Sequence, residues 1–192
     1  MPPIILASNS VQRKKLLKMF GLKFQVCPSD ADEIQKISTT CSALVKHNAL
    51  IKAKAVAKKF SKGIVIGADT VAYIGNKKII GKPKSYKDAK RILKILFSRP
   101  QWIYTGVAVI DAASGKIIVD YEKTKVHMTA LTDKEMDQYH KRVAPFDKAG
   151  GFDIEGWGSL FIRRIEGCYT NVIGLPMAKL FVMLKKVGVN VL

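Results

Sequence analysis

The chain alternates between short apolar runs, which are typical of strands, and longer stretches whose apolar residues recur at helical spacing. Strands are predicted at 4–7, around Phe24 and Val26, and at 64–66, where consecutive apolar residues favour a sheet covered on both faces. Periodic apolar positions predict helices in five stretches: from Ser8 or Ser10 to Gly21, and at 41–60, 85–97, 132–142 and 177–186.

The later part of the chain adds antiparallel structure. The segments 102–110 and 116–128 are rich in strand-forming residues and predict a hairpin, and Asn76 predicts another tight turn. Residues 147–176 are glycine-dense yet apolar, which indicates backbone held close to a ligand or a neighbouring strand. Strand–helix alternation followed by a hairpin predicts an α/β fold with a mixed, strongly twisted sheet and flanking helices, in one domain over 1–192.

Asp69 is the first candidate for chemistry, because it closely follows the apolar run 64–66. Gly67 is predicted to let the backbone turn tightly there, which would leave the carboxylate at the end of the strand. In open α/β sheets the ligand crevice lies at the carboxyl ends of strands. An aspartate that only bonds its own backbone in a turn is the alternative, and this segment alone leaves both open.

Two further groups of polar residues attract attention. Ser10 at a helix start, with Arg13 in the first turn, predicts an anion-binding arrangement, although a capped helix with Arg13 facing water fits equally well. The segment 30–33 carries three acidic residues within four positions, and it stands out in so basic a chain.

Composition restricts the function classes. The 192 residues carry a formal net charge of +18, which would attract polyanions, but lysines dispersed at helical spacing without interleaved aromatic residues favour a solvated surface over a specific nucleic-acid surface. The three cysteines and three histidines lack metal-ligand spacing. Without a signal segment or a run of about 20 apolar residues, a cytoplasmic protein without membrane partners is expected.

A set of motifs in a fixed order resembles the Maf family of nucleotide pyrophosphatases, also called septum-formation-inhibitor-like proteins. The motifs are ILASNSVQRKKLL, DADE, ALIKAKAVA, IGADTVAY, GKP, TGVAV, DKAGGFDIEGWG and NVIGLP. The resemblance implies an elongated two-lobed fold similar to that of inosine triphosphatase, and a possible homodimer. It also implies hydrolysis of a nucleoside triphosphate to the monophosphate and pyrophosphate with a divalent metal, Mg²⁺ or Mn²⁺, for the removal of non-standard or excess nucleotides.

The resemblance implies a role for each matched residue. Asp69 corresponds to the family's general base, and Glu33, with Asp69, to its metal ligands. Lys52 and Lys82 are implied to be catalytic cations. The implied substrate-binding residues are Ser8, Ser10, Arg13 and Lys148.

Three positions bear on the choice of base. The family usually reads S-P-R-R where this chain has Gln12 before Arg13. Thr70 matches the branch acting on dTTP and UTP, whereas Glu155 resembles the branch acting on 7-methyl-GTP. A carboxylate only accepts hydrogen bonds, which suits guanine donors better than thymine or uracil. The signature is mixed, so these positions leave the base open: a dTTP/UTP-like or modified substrate is expected, with a 7-methyl-GTP preference as the alternative.

A different class of function also stays open. The net charge of +18 is compatible with a non-catalytic protein that binds nucleic acid or regulates cell division. The acidic segment and Asp69 are useful only to an enzyme, so we favour the enzyme.

Overall fold

The computed structural model describes residues 1–34, 40–74, 79–146 and 149–191. In chain order the elements are β1 Ile4–Leu6, α1 Val11–Met19, β2 Phe24–Val26, α2 Cys41–Ala57, β3 Ile64–Tyr73, β4 Ile79–Ile80, α3 Tyr86–Ser98, β5 Gln101–Asp111, β6 Ile117–Met128, α4 Asp133–Arg142, the 3₁₀ turns Ala149–Gly151 and Trp157–Phe161, β7 Ile162–Glu166, α5 Tyr169–Ile173 and α6 Met177–Lys186.

The strands form one seven-stranded mixed sheet in the order β2-β1-β3-β5-β6-β7, with β4 paired to β3. Strand β1 is parallel to both β2 and β3, whereas the β3–β4 and β6–β7 pairs are antiparallel. The predicted α/β class with a mixed sheet and helices is confirmed. Among the described residues, no helix has the length and apolar character needed to cross a membrane.

The chain divides into two compact units. The first comprises 1–70, 104–122 and 173–192, and the second comprises 71–103 and 123–172. The expectation of a single domain over 1–192 stays a prediction.

The first unit has a sheet that is covered on both faces, as the apolar run 64–66 predicts. Ile64 and Ile66 pack with residues of α1 and α6 on one face, while Val65 packs with α2 on the other. Because side chains alternate along a strand, a continuous apolar run supplies both of these cores.

The second unit has its own core, built largely from aromatic and aliphatic residues of α3, α4 and the segment before β7. Phe161 is 2% exposed and meets the ring of Tyr139 edge-on at a centroid distance of 5.0 Å. The helix α4 begins at a capping box, in which Thr132 and Glu135 satisfy each other's backbone N–H groups.

Several predictions from the sequence are wrong in detail. Asp69 lies inside β3 and not at its end, because the strand continues to Tyr73, so Gly67 makes no turn there. The helix α2 ends at Ala57 and not at the predicted residue 60. The sequence pattern did not predict β7 or α5, and the turn predicted at Asn76 lies outside the described residues.

Candidate active site

Two glycines bring α2 close to the sheet in the first unit. A Cβ on Gly67 in β3 would collide with the carbonyl oxygen of Ala49, and one on Gly106 in β5 would collide with that of Val45. Gly67 therefore serves close packing and not a turn. The helix consequently lies low enough over β3 for its polar side chains to reach Asp69.

Asp69 is 7% exposed, and its two carboxylate oxygens have different partners. Oδ1 lies 3.3 Å from Nζ of Lys52, and Oδ2 accepts a hydrogen bond of 3.0 Å from Nδ2 of Asn48. The same Lys52 Nζ lies 2.9 Å from Oε2 of Glu33. One lysine thus bridges two carboxylates that are far apart in the sequence, and the alternative in which Asp69 only bonds its own turn is wrong.

Asn48 attaches a further segment to this cluster. Its Oδ1 accepts a hydrogen bond of 3.0 Å from the backbone N–H of Ile34, and its Nδ2 donates to the backbone oxygen of Ile34, also at 3.0 Å. The residue before Ile34 is Glu33, so the amide fixes the backbone beside that carboxylate.

Arg13 is buried, and its guanidinium joins three segments of the chain. Nε donates to the oxygen of Gly174 at 2.9 Å, and Nη1 donates to the oxygen of Ala68 at 2.9 Å and to Oγ of Ser8 at 3.1 Å. Nη2 donates to Oγ1 of Thr70 at 3.0 Å. The alternative in which Arg13 faces water is wrong, because most of its donors are used inside the protein.

Charge is balanced within this group. Burial lowers the pKa of Arg13, and the negative charges of Asp69 and Glu33 act in the opposite direction. A guanidinium stays charged even so, since its ordinary pKa is far above neutrality. Arg13 and Lys52 thus offset the charges of two carboxylates, the buried Asp69 and the more exposed Glu33.

The loop before α1 has the predicted cap. Oγ of Ser10 accepts a hydrogen bond of 3.4 Å from the backbone N–H of Arg13, and Oγ of Ser8 accepts one of 3.2 Å from the backbone N–H of Ser10. Gln12 lies half-buried in the first turn of α1. The role of this loop in binding phosphate stays a prediction.

The remaining predicted residues belong to the second unit. Lys82 is exposed in the segment between β4 and α3, and Glu155 is half-buried in the segment before Trp157–Phe161. Lys148 lies outside the described residues. The roles predicted for these three residues stay predictions.

The predicted metal ligands are two carboxylates. Within 1–34, 40–74, 79–146 and 149–191 no cluster of three or more His, Cys, Asp or Glu side chains could hold a metal ion. Glu33 and Asp69 nevertheless supply hard oxygen donors, and Mg²⁺ is often held by one or two carboxylates together with water and substrate phosphates. The donor set therefore fits such an ion.

Sequence reasoning missed three members of the group. Neither Asn48 nor Thr105, whose Oγ1 lies 3.0 Å from that of Thr70, is among the residues that the sequence predicts for the site. The carbonyl of Gly174 also went unnoticed, although a glycine at φ +120° follows α5 directly. A polar residue on the buried stripe of α2 was the one available signal.

These features define an α/β protein whose first unit assembles buried, mutually compensating charges around a strand aspartate. The family described as Maf-like protein matches residues 3–187, so this chain belongs to the Maf-like protein family. The chain is 43% identical over 192 residues to a dTTP/UTP pyrophosphatase of Pelotomaculum thermopropionicum, with all of both chains covered. It is 42% identical over 189 residues to a dTTP/UTP pyrophosphatase of Clostridium tetani, covering 97% of this chain and 98% of that one.

Solved structures give partial matches. A Staphylococcus aureus Ham1 protein aligns with 66% of this chain and 72% of its own at 19% identity and a TM-score of 0.47. A nucleoside-triphosphatase, or dITP/XTP pyrophosphatase, from Mycobacterium abscessus aligns with 73% of this chain and 94% of its own at 16% identity and a TM-score of 0.41.

Proposed function

We propose that this protein is a metal-dependent nucleoside triphosphate pyrophosphatase with Asp69 as its general base. The observation that carries the proposal is the buried carboxylate of Asp69, held by Lys52 and Asn48 beside Glu33. Full-length relatives named dTTP/UTP pyrophosphatases support the reaction class. A rigidly held base within reach of a second carboxylate suits hydrolysis at phosphorus.

In the proposed reaction, water attacks the α-phosphorus and the bond from that phosphorus to the α–β bridging oxygen breaks. Asp69 accepts the proton of the water, and the electron pair of the broken bond leaves with pyrophosphate. Glu33 and Asp69 would hold the divalent cation, which neutralises triphosphate charge when bound.

Cationic side chains neutralise the negative charge of the substrate in the proposed reaction. Lys52 keeps Asp69 in place and offsets negative charge as it develops. Arg13 acts mainly through the protein, because it ties the loop of Ser8 to β3. Lys82 and Lys148 keep the roles that the family resemblance assigns to them, as donors to the departing pyrophosphate.

For the base we propose a preference for dTTP and UTP. The names of the relatives support it, and so does Thr70, whose hydroxyl accepts a hydrogen bond from Arg13. Glu155 is the residue that argues for 7-methyl-GTP. A glutamine both donates and accepts, so Glu155→Gln should improve kcat/KM for UTP if this side chain meets the base.

The experiment that tests the function separates its products. Purified protein is incubated with Mg²⁺ or Mn²⁺ and a panel of canonical, methylated and deaminated nucleotides. We expect monophosphate plus pyrophosphate, most rapidly from dTTP and UTP. Diphosphate plus orthophosphate would contradict the scissile bond, and fastest turnover of 7-methyl-GTP would overturn the base preference.

A paired substitution tests the base. Asp69→Asn should lower kcat about 100- to 10,000-fold, the usual contribution of a general base. Asp120→Asn is the matched control, because Asp120 pairs with Lys179 on the surface of the same unit. Equal activity of the two variants would remove Asp69 from the role of base.

The net charge of +18 supports a second candidate function, binding of nucleic acid. Such binding would weaken steeply with salt, since it depends on the release of counterions. An electrophoretic shift that vanishes near physiological salt would exclude a specific role. The homodimer and the cytoplasmic location stay predictions.

A further inference from the structure

Asn48 is a buried amide among apolar residues of α2, four residues before Lys52, which reaches the same Asp69. It is 2% exposed, and its neighbours on the same stripe of α2 include Leu44, Val45 and Ala49. A buried amide is costly unless its polar atoms are hydrogen-bonded. A leucine would fit the apolar packing of this stripe without needing hydrogen-bond partners. We therefore expect the amide to be retained for the hydrogen bonds that it forms.

The hydrogen bonds of Asn48 use both ends of its amide. Oδ1 accepts from the N–H of Ile34, and one Nδ2 hydrogen can be given to the oxygen of the same residue. The second Nδ2 hydrogen is then available for Oδ2 of Asp69. An amide nitrogen has two hydrogens, so both donors of Asn48 are used. The backbone N–H and C=O of Ile34 are both bonded to the amide of Asn48, as they would be to a neighbouring strand.

The segment that Asn48 holds contains no helix or strand of its own between β2 and residue 34. Glu33 lies on this irregular segment with a side chain that is 37% exposed. An irregular exposed segment has many conformations, and each contact that fixes it must overcome the entropy of ordering. Two hydrogen bonds on the neighbouring backbone reduce that freedom directly.

We propose that Asn48 is a positioning residue for the reaction, which sets Glu33 against Asp69 by gripping the backbone of Ile34 while orienting the carboxylate of Asp69. The proposal rests on the proposed function. Asn48 contacts the carboxylate of Asp69 and the backbone of Ile34, and no role in binding the nucleotide is assigned to it. Its effect on turnover is therefore carried by the two carboxylates that it connects.

The substitution Asn48→Leu retains the approximate volume and removes all three hydrogen bonds. We expect kcat for the preferred nucleotide to fall about 10- to 100-fold, because small displacements of catalytic groups have effects of this size. KM should change less than about 3-fold, since the substitution leaves the residues assigned to phosphate and base in place.

A double-mutant cycle shows whether the effect passes through Glu33. Asn48→Leu is measured in the native chain and in a Glu33→Gln chain with the product-resolved assay. If Asn48 acts by positioning Glu33, the loss of kcat is at least about 3-fold smaller in the second background, and the part that remains is carried by the lost hydrogen bond to Asp69. Equal losses in both backgrounds would overturn the proposal, as would an unchanged kcat in the native chain.

Hydrogen exchange gives a readout that does not depend on activity. Asn48→Leu should speed amide exchange in the peptide that contains residues 30–34. Asn171→Leu is the matched control, because Asn171 is also fully buried and donates to Ile103 and Thr124 in the second unit. It should destabilise the protein without opening 30–34. If amide exchange in that peptide rises equally in both variants, the effect is not specific to Asn48, and the proposal that Asn48 holds this segment is contradicted.

The outcomes separate the two proposals. Absence of any nucleotide turnover in the native chain would overturn the proposed function, and the positioning role with it. An active native chain with additive losses in the cycle would overturn the positioning role alone.

Discussion

Replacement of Arg13 by lysine tests how much of the first unit depends on one guanidinium. The four hydrogen bonds of Arg13 reach Gly174, Ser8, and both Ala68 and Thr70 of β3, which are three separate segments of the chain. A lysine keeps the charge but has one nitrogen on a flexible stem, and it cannot reproduce a planar fork. We expect it to retain at most two of the four contacts.

The magnitude follows from the bonds that are lost. A buried hydrogen bond to a charged group contributes about 1.5–3 kcal/mol, so the loss of two of them lowers the free energy of unfolding by roughly 3–6 kcal/mol. This is a large part of the total of about 5–15 kcal/mol that is typical of a native protein. The melting temperature should fall clearly while the net charge stays the same.

Urea denaturation followed by circular dichroism measures this difference, with the slope of the transition compared between variants. Arg91→Lys is the matched control, because Arg91 is exposed and forms a forked contact with Asp88 on the surface. An exposed pair of this kind contributes little to stability, because water and salt screen its charges. If Arg13→Lys costs no more than Arg91→Lys, the inference that Arg13 holds the first unit together is refuted.

Two further predictions concern packing and pH. Gly67→Ala should lower the free energy of unfolding by about 3 kcal/mol and reduce turnover, because the added Cβ meets the backbone of Ala49. Gly81→Ala is the control: its Cβ would enter open space, so the free energy of unfolding should change by less than about 0.5 kcal/mol. Equal urea midpoints for the two variants would contradict this prediction. Burial lowers the pKa of His140 below its usual 6.5, so the unfolded chain binds the proton more readily, and stability is lost as pH falls below about 6.5. His140→Phe should flatten the decline in stability between pH 7 and pH 5, and an unchanged pH dependence in urea titrations would argue against the assignment.

Much of the fold could be predicted because local chemistry and tertiary packing agree. Ser85 and the capping box at Thr132 begin helices where expected, since side-chain caps act within one turn. The apolar run 64–66 predicted a sheet covered on both faces, because successive side chains of a strand point to opposite faces. By contrast β7 and α5 were missed, because 147–176 is rich in glycine and has no clear period.

The candidate site was predictable in its members but only partly in its arrangement. The family resemblance marked Asp69, Glu33 and Lys52, and the structure of the first unit brings them together around Nζ of the lysine. The resemblance also marked Arg13 as a substrate-binding residue, and that role stays a prediction; what the structure adds is that most of its donors are used within the protein. Neither periodicity nor spacing contains that information.

The sequence by itself determined the class of the fold, the positions of most helices and the residues worth testing, because periodicity, capping and motif order are properties of neighbouring positions along the chain. Only the tertiary structure decided that Asp69 lies within a strand, that Lys52 bridges it to Glu33, and that Asn48 grips Ile34. The physical reason is that these contacts join segments far apart in the chain. Their geometry depends on how closely α2 approaches the sheet at Gly67, which no local pattern encodes.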